Sequence, residues 1–164
     1  GPREAALPWP HHHQWGPYRL WLRPGLEDFL AFAWSHFAAV GIWTASTADY
    51  AHPVLATFLD PARLAFVYCR ERCTYRRDID RDERYWVKDL RKVARFGFDR
   101  RAILAVDDTP RKFERSYGNL VAIRSFEGDP SDRELSRLTT YLRTLGPLDD
   151  VRPVEKRGWA SRTP

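Results

Sequence analysis

Asp107 and Asp108 stand side by side at the end of the apolar run Ile103-Leu104-Ala105-Val106, and Thr109-Pro110 follow them. A short apolar run reads as a buried strand. Two adjacent carboxylates at its end repel each other unless a cation lies beside them. The pair is therefore a cation site or a polar turn and helix N-cap, for which Asp-Asp-Thr-Pro is also suited. Thr44 and Ser46 close a second apolar run, Ala39 to Ala45, and are the other polar residues at the end of a predicted buried strand. On their own they read equally well as strand-end hydroxyls.

The elements that must position these residues follow from periodicity. "YRLWL" (Tyr18 to Leu22) has strand character and stops at Arg23-Pro24-Gly25, a turn signal. Leu26, Phe29, Leu30, Ala33 and Phe37 then form one apolar helical face. The run 39–45 predicts a strand, and "STADYAHPVLATFL" a helix with Ser46 or Thr47 as N-cap. "LAFVYC" (Leu64 to Cys69) is a second apolar strand. Residues 70–86, mostly charged, are a small hairpin or a loop. "KDLRKVARF" predicts a short helix beginning at Lys88, "AILAV" a third buried strand, and "NLVAIRS" (Asn119 to Ser125) a fourth. Ser131 and Glu134 have capping-box spacing ahead of Leu135, Leu138, Leu142 and Leu145, the apolar face of the last helix. Gly146-Pro147 ends it. Residues 1–16 read as an irregular N-terminal segment, 17–151 as one domain, and 152–164 as a loose polar tail.

Apolar strands alternating with amphipathic helices imply an α/β fold, a Rossmann-like parallel sheet with helices on both faces. Chemistry in such sheets sits at the carboxyl ends of the strands. That rule selects Thr44 and Ser46 at one strand and Asp107 and Asp108 at another.

Composition sets outer bounds. A chain of 164 residues is long enough for one domain with a real core. No apolar run approaches the ~18 residues that span a bilayer, so no membrane role is expected. No signal-peptide pattern opens the sequence, and a cytoplasmic location is expected. The formal charge is +5, with 23 Arg against 4 Lys. That balance fits an anionic partner or merely a GC-rich genome. No basic cluster with interleaved aromatics reads as a nucleic-acid motif, so nucleic acid is not the expected partner. Cys69 and Cys73 lack a second ligand pair at zinc spacing and do not predict a metal site.

The ordered stretches "RPGLEDFL", "IWTASTADYAHPV", "RERCT", "WVKDL", "ILAVDDTP", "FEGDPSDREL" and "DDV" together resemble the haloacid dehalogenase superfamily. More narrowly, they resemble the phosphatase domain of the RNA polymerase C-terminal-domain phosphatases and NLI-interacting-factor-like proteins, from about Tyr18 to Val151. The resemblance implies Mg2+-dependent hydrolysis of a phosphoester, on a phosphorylated protein or a small molecule. It implies that Thr44 and Ser46 bind the phosphoryl group and that Lys88 contacts phosphate and nucleophile. It also implies that Asp107 and Asp108 hold Mg2+; Asp108 stands where near relatives often have Asn. Arg70 and Arg72 would touch an anionic substrate beyond the phosphate, although a solvated hairpin explains them as well.

One departure matters. The family's first motif, D-x-D-x-T, carries the nucleophile and the general acid-base at the end of a central strand. The region ahead of Gly16 has Glu4 as its only acidic residue and no apolar strand. The sequence also lacks Met and opens on Gly-Pro. The reading at this point is a haloacid-dehalogenase-like fold whose central first strand is missing. Truncation is the favoured expectation, with supply of the strand by another segment or chain, or true loss, as alternatives. The alternative function is a pseudophosphatase or phosphoprotein-binding module.

Overall fold

The structure, a computed structural model, describes residues 9–164. The chain runs through β1 (His13–Trp15), β2 (Tyr18–Leu20), α1 (Leu26–His36), β3 (Ile42–Trp43) and α2 (Ala48–Ala56). β4 (Val67–Tyr68), β5 (Thr74–Asp78), β6 (Glu83–Val87) and α3 (Arg91–Ala94) follow. β7 (Ala105–Asp107), β8 (Leu120–Ala122), α4 (Glu134–Leu145) and α5 (Trp159–Arg162) complete it. Helix α1 opens on Gly25 at φ +81°, a left-handed conformation that glycine adopts without strain.

The architecture is mixed α/β, but the single parallel sheet expected from the sequence is replaced by four two-stranded sheets. β3 pairs with β4, and β7 with β8, both in parallel. β1–β2 and β5–β6 are antiparallel hairpins. Among the described residues no ladder joins β3 to β7.

Two apolar clusters hold these pairs. Phe32 from α1, Leu135, Leu138, Leu142 and Leu145 from α4, and Trp159 from α5 bury against Val121 of β8. Tyr68, Leu90, Val93, Phe113 and Leu120 form the other cluster, with Trp43, Phe66 and Ala105 against it. Val121 and Leu120 are consecutive and face opposite clusters, as strand alternation requires. The β7–β8 pair is thus covered on both faces, which suits parallel strands. The second cluster draws on both parallel pairs and so ties β3–β4 to β7–β8 through side chains.

Several expected boundaries move. The strands β3, β4, β7 and β8 are two or three residues long, shorter than the apolar runs that contain them. The helix expected from Lys88 begins at Arg91, because Lys88 still continues from β6. The capping box does not form: Ser131 donates to Asp129 at 2.7 Å, and Glu134 is buried, accepting from Arg124. Within the segment read as irregular, residues 1–8 lie outside the described residues, whereas 13–15 pair with 18–20. The tail is not loose. Trp159 is buried and donates to the Ala122 carbonyl at 2.7 Å. Lys156 is buried too, its ammonium shared among the carbonyls of Gly118, Val151 and Val154. Those carbonyls give a buried cation three acceptors, which a polar composition alone does not reveal. Among the described residues no helix is long and apolar enough to cross a membrane.

Candidate functional site

Asp107 is the last residue of β7, and Lys88 directly follows β6. The Lys88 ammonium donates to Asp107 Oδ2 at 2.6 Å, with both side chains nearly removed from solvent. The Lys88 backbone N–H is held by the Lys112 carbonyl at 2.7 Å, which fixes where the side chain starts. Asp107 Oδ1 accepts from the Thr109 backbone N–H at 2.8 Å. Asp108 accepts from the Thr109 hydroxyl and from the Ser125 hydroxyl, both at 3.0 Å. Partial burial pushes the Asp108 pKa up, but the hydrogen bonds from Thr109 and Ser125 outweigh it, and the carboxyl sits below its ordinary value. The cation demanded by the two adjacent aspartates is therefore partly supplied by the protein itself, as Lys88.

Behind Lys88, Asp89 is buried and accepts from Arg91 at 2.7 Å and from Arg115 at 2.8 Å. The Arg91 hydrogen bond is the main reason its carboxyl lies far below the usual range, against an opposing cost of burial. This pair of arginines secures the turn that carries Lys88.

Thr44 follows β3. Its backbone N–H joins the Tyr68 carbonyl at 2.8 Å, and its hydroxyl accepts from the Ser46 N–H at 3.1 Å. The Ser46 carbonyl accepts from the Arg70 N–H at 2.9 Å, and Arg70 Nε donates to the Ala45 carbonyl at 2.8 Å. The loop between β3 and α2 is thereby stapled to the turn after β4. The Cys73 thiol lies 3.9 Å from the Thr44 carbonyl. Burial raises the pKa of that thiol, while the charges of Lys88, Lys112 and Lys92 pull it down. Cys73 thus connects the Thr44 loop with the neighbourhood of Lys88.

Of the residues expected from the sequence, Lys88 and Asp107 pair directly with Asp108 next in the chain, while Thr44 and Ser46 lie in the β3–α2 loop, to which Arg70 of the turn after β4 is hydrogen-bonded. Arg72 goes elsewhere: its guanidinium lies 5.0 Å from the centroid of Tyr68. Sequence reasoning missed Ser125, Asp89, Arg111 and Arg115. Ser125 stands in the "NLVAIRS" stretch at the end of a predicted strand, and the carboxyl-end rule that selected Asp107 applies to it equally.

Mg2+ usually takes one or two carboxylates and completes its octahedron with water and substrate oxygens. Asp107 and Asp108 meet that requirement. Among the described residues no cluster of three or more His, Cys, Asp or Glu side chains forms a dedicated cage.

Residues 4–152 match the family described as NLI interacting factor-like phosphatase, and the chain belongs to that family. It is 36% identical over 132 residues to a probable C-terminal domain small phosphatase of Dictyostelium discoideum, covering 80% of this chain and 40% of that protein. It is 35% identical over 137 residues to the human carboxy-terminal domain RNA polymerase II polypeptide A small phosphatase 1, covering 80% and 47%. Nuclear envelope morphology protein 1 of Schizosaccharomyces pombe is 28% identical over 139 residues, covering 84% and 27%. The chain spans less than half the length of each of these relatives.

Proposed function

We propose that this chain carries the phosphate- and metal-binding part of a Mg2+-dependent phosphoester hydrolase acting on a phosphorylated protein or a small phosphoester. The observation that supports it most is the 2.6 Å contact of Lys88 with Asp107, beside Asp108 and at the ends of adjacent elements. In this reading Asp107 and Asp108 hold Mg2+. The ion, when bound, supplies Lewis-acid charge neutralisation to the transferring phosphoryl group. Thr44 and Ser46 accept that group with their hydroxyls and the N–H groups at the start of α2. Lys88 adds a positive charge and orients the Asp107 carboxylate through their hydrogen bond. Positioning and charge account for most of phosphoryl-transfer catalysis, and these residues provide both.

The nucleophile is a separate matter. The 164 residues contain no D-x-D-x-T motif, and the edges of β3 and β7 that carry no ladder among the described residues fit a Rossmann-like sheet that lacks its central strand. Without that strand the chain binds phosphate with little or no turnover, and another segment would have to supply it. A phosphoprotein-binding module without catalysis is the second reading, favoured by the same absence. The free thiols of Cys69 and Cys73 suit a reducing compartment such as the cytoplasm.

Titration of the chain with a phosphoserine peptide in Mg2+ tests the site. Binding should weaken at least tenfold in Lys88→Met, the scale of one lost charge-assisted hydrogen bond, and weaken in Thr44→Val. Equal affinity for the phosphorylated and unphosphorylated peptide overturns the reading.

A further inference from the structure

Both acids of the β5–β6 strands lie on one face of the hairpin, and Arg77 and Arg84 lie on the other. Its ladder sets Tyr75 opposite Trp86 and Arg77 opposite Arg84. Strand alternation places these four side chains on one face, and Asp78, Glu83 and Tyr85 on the other together with the exposed Arg76. The acidic face turns toward the body of the protein. Arg111 bridges Asp78 at 2.8 Å and Glu83 at 2.5 Å and lies 3.7 Å from the Tyr85 ring centroid. Tyr85 in turn donates to Glu114 at 3.1 Å.

The opposite face presents cations and rings. Tyr75 is half exposed and meets Trp86 edge to face, centroids 5.2 Å apart. Arg70 lies 5.7 Å from the Trp86 centroid. Arg77 is paired only with the exposed Asp82, and Arg84 has no ion-pair or hydrogen-bond partner among the described residues. Like charges directly opposite each other in a ladder are unfavourable, and nothing within the hairpin relieves Arg84. Arg70 and Trp86 also line a cleft of about 330 Å³ with Thr47, Ala48, Glu71 and Cys73. Thr47 adjoins Ser46, so one strip runs from the Thr44 loop across Arg70 and Trp86 to Arg77 and Arg84.

We infer that this strip docks an extended peptide with acidic or phosphorylated residues flanking the phosphoresidue that enters the site. The inference rests on the phosphate-site reading above and adds a substrate preference to it. Arginine matches carboxylate and phosphate in planar, bidentate fashion, and Trp86 and Tyr75 offer apolar area between the charges. A short peptide fits better than nucleic acid. Asp80 and Asp82 sit exposed at the hairpin turn, where a long polyanion would need a continued basic track.

Two peptides with the same central phosphoserine test this by fluorescence anisotropy with the full chain, one flanked by Asp and Glu, the other by Ser and Gly. The acidic peptide should bind roughly three- to tenfold tighter, the size that two exposed ion pairs supply. The advantage should shrink with added salt. The Arg77→Gln/Arg84→Gln double variant should bind both peptides alike, at the affinity of the neutral one, with unchanged thermal unfolding. Equal binding of both peptides by the unaltered chain overturns the inference, as does a preference that survives the double variant. So does an oligonucleotide of equal charge that competes as well and with the same arginine dependence. Lys88→Met separates the two readings. If it leaves both affinities unchanged while the arginine-dependent preference persists, the phosphate pocket is misassigned and the docking strip stands.

Discussion

Lys88 and Asp107 form a buried ion pair, 2.6 Å between Nζ and Oδ2, that joins the end of the β5–β6 hairpin to the end of β7. Removing one partner of a buried pair strands the other charge, at a cost of about 3–5 kcal/mol. Lys88→Met should therefore lower the denaturant midpoint markedly, and Lys88→Met combined with Asp107→Leu should recover part of the loss. Urea unfolding of the two variants checks this. A single variant as stable as the parent would mean that the pair is solvated and open.

Asp108, unlike Asp107, forms no ion pair among the described residues, although the Lys112 charge lies near enough to favour its ionised form. Its hydrogen bonds come from Thr109 and Ser125, both neutral. It is the carboxylate freer to take Mg2+. Asp108→Ala should abolish Mg2+ uptake in isothermal titration while leaving the Lys88–Asp107 contact and the fold intact. Undiminished Mg2+ affinity refutes the metal assignment.

Asp89 links acid stability to the site. Hydrogen bonds from Arg91 and Arg115 hold its folded pKa well below the unfolded value of about 3.9. A depressed carboxylate contributes stability that is fully present above the unfolded pKa and lost as pH falls through the folded one. Asp89→Asn should destabilise the protein near neutral pH and flatten the decline below about pH 4. Thermal melts from pH 7 to pH 2 would show it; parallel curves for parent and variant would not fit.

How far the sequence reaches is clear from particular residues. The 3.6-residue periodicity of Leu26 to Phe37 and of Leu135 to Leu145 locates α1 and α4, because each helix buries one stripe. The capping box failed because spacing says nothing of tertiary competitors: Arg23 and Arg124 draw Asp132 and Glu134 into their own ion pairs. Trp159 and Lys156 lay in a polar stretch whose burial depends on a partner surface about 37 residues earlier, at Ala122 and Gly118. Ordered motifs singled out Thr44, Lys88 and Asp107 as candidates, yet the direct Lys88–Asp107 bond is a fact of three dimensions. Arg111 was invisible because its acids, Asp78 and Glu83, face it only once the hairpin has closed.

The remaining prediction concerns the free edges of β3 and β7. Each strand is paired on one side only, β3 with β4 and β7 with β8. Backbone donors and acceptors on the other edges have no ladder partner among the described residues, and a free edge is a template for another strand. A strand laid parallel along those edges would extend sheets that the apolar clusters cover, so it should be rich in Val, Ile and Leu. Its carboxyl end would arrive beside Thr44 and Asp107, where the family resemblance calls for D-x-D-x-T. The 164 residues contain no D-x-D-x-T, the motif whose first Asp would form the phosphoryl intermediate in the proposed reaction. Binding and electrostatics alone leave only a small residual rate. An apolar segment ending in D-x-D-x-T, fused ahead of Gly1 or added as a peptide, should raise the melting temperature and the hydrolysis of an aryl phosphate in Mg2+ together. The same segment with its first Asp changed to Asn should raise the melting temperature alone. Robust turnover by the unassisted chain, lost in Asp107→Asn, would place the nucleophile at Asp107 instead. A segment that changes neither property would leave the binding module as the better account, with β3 and β7 closed to any added strand.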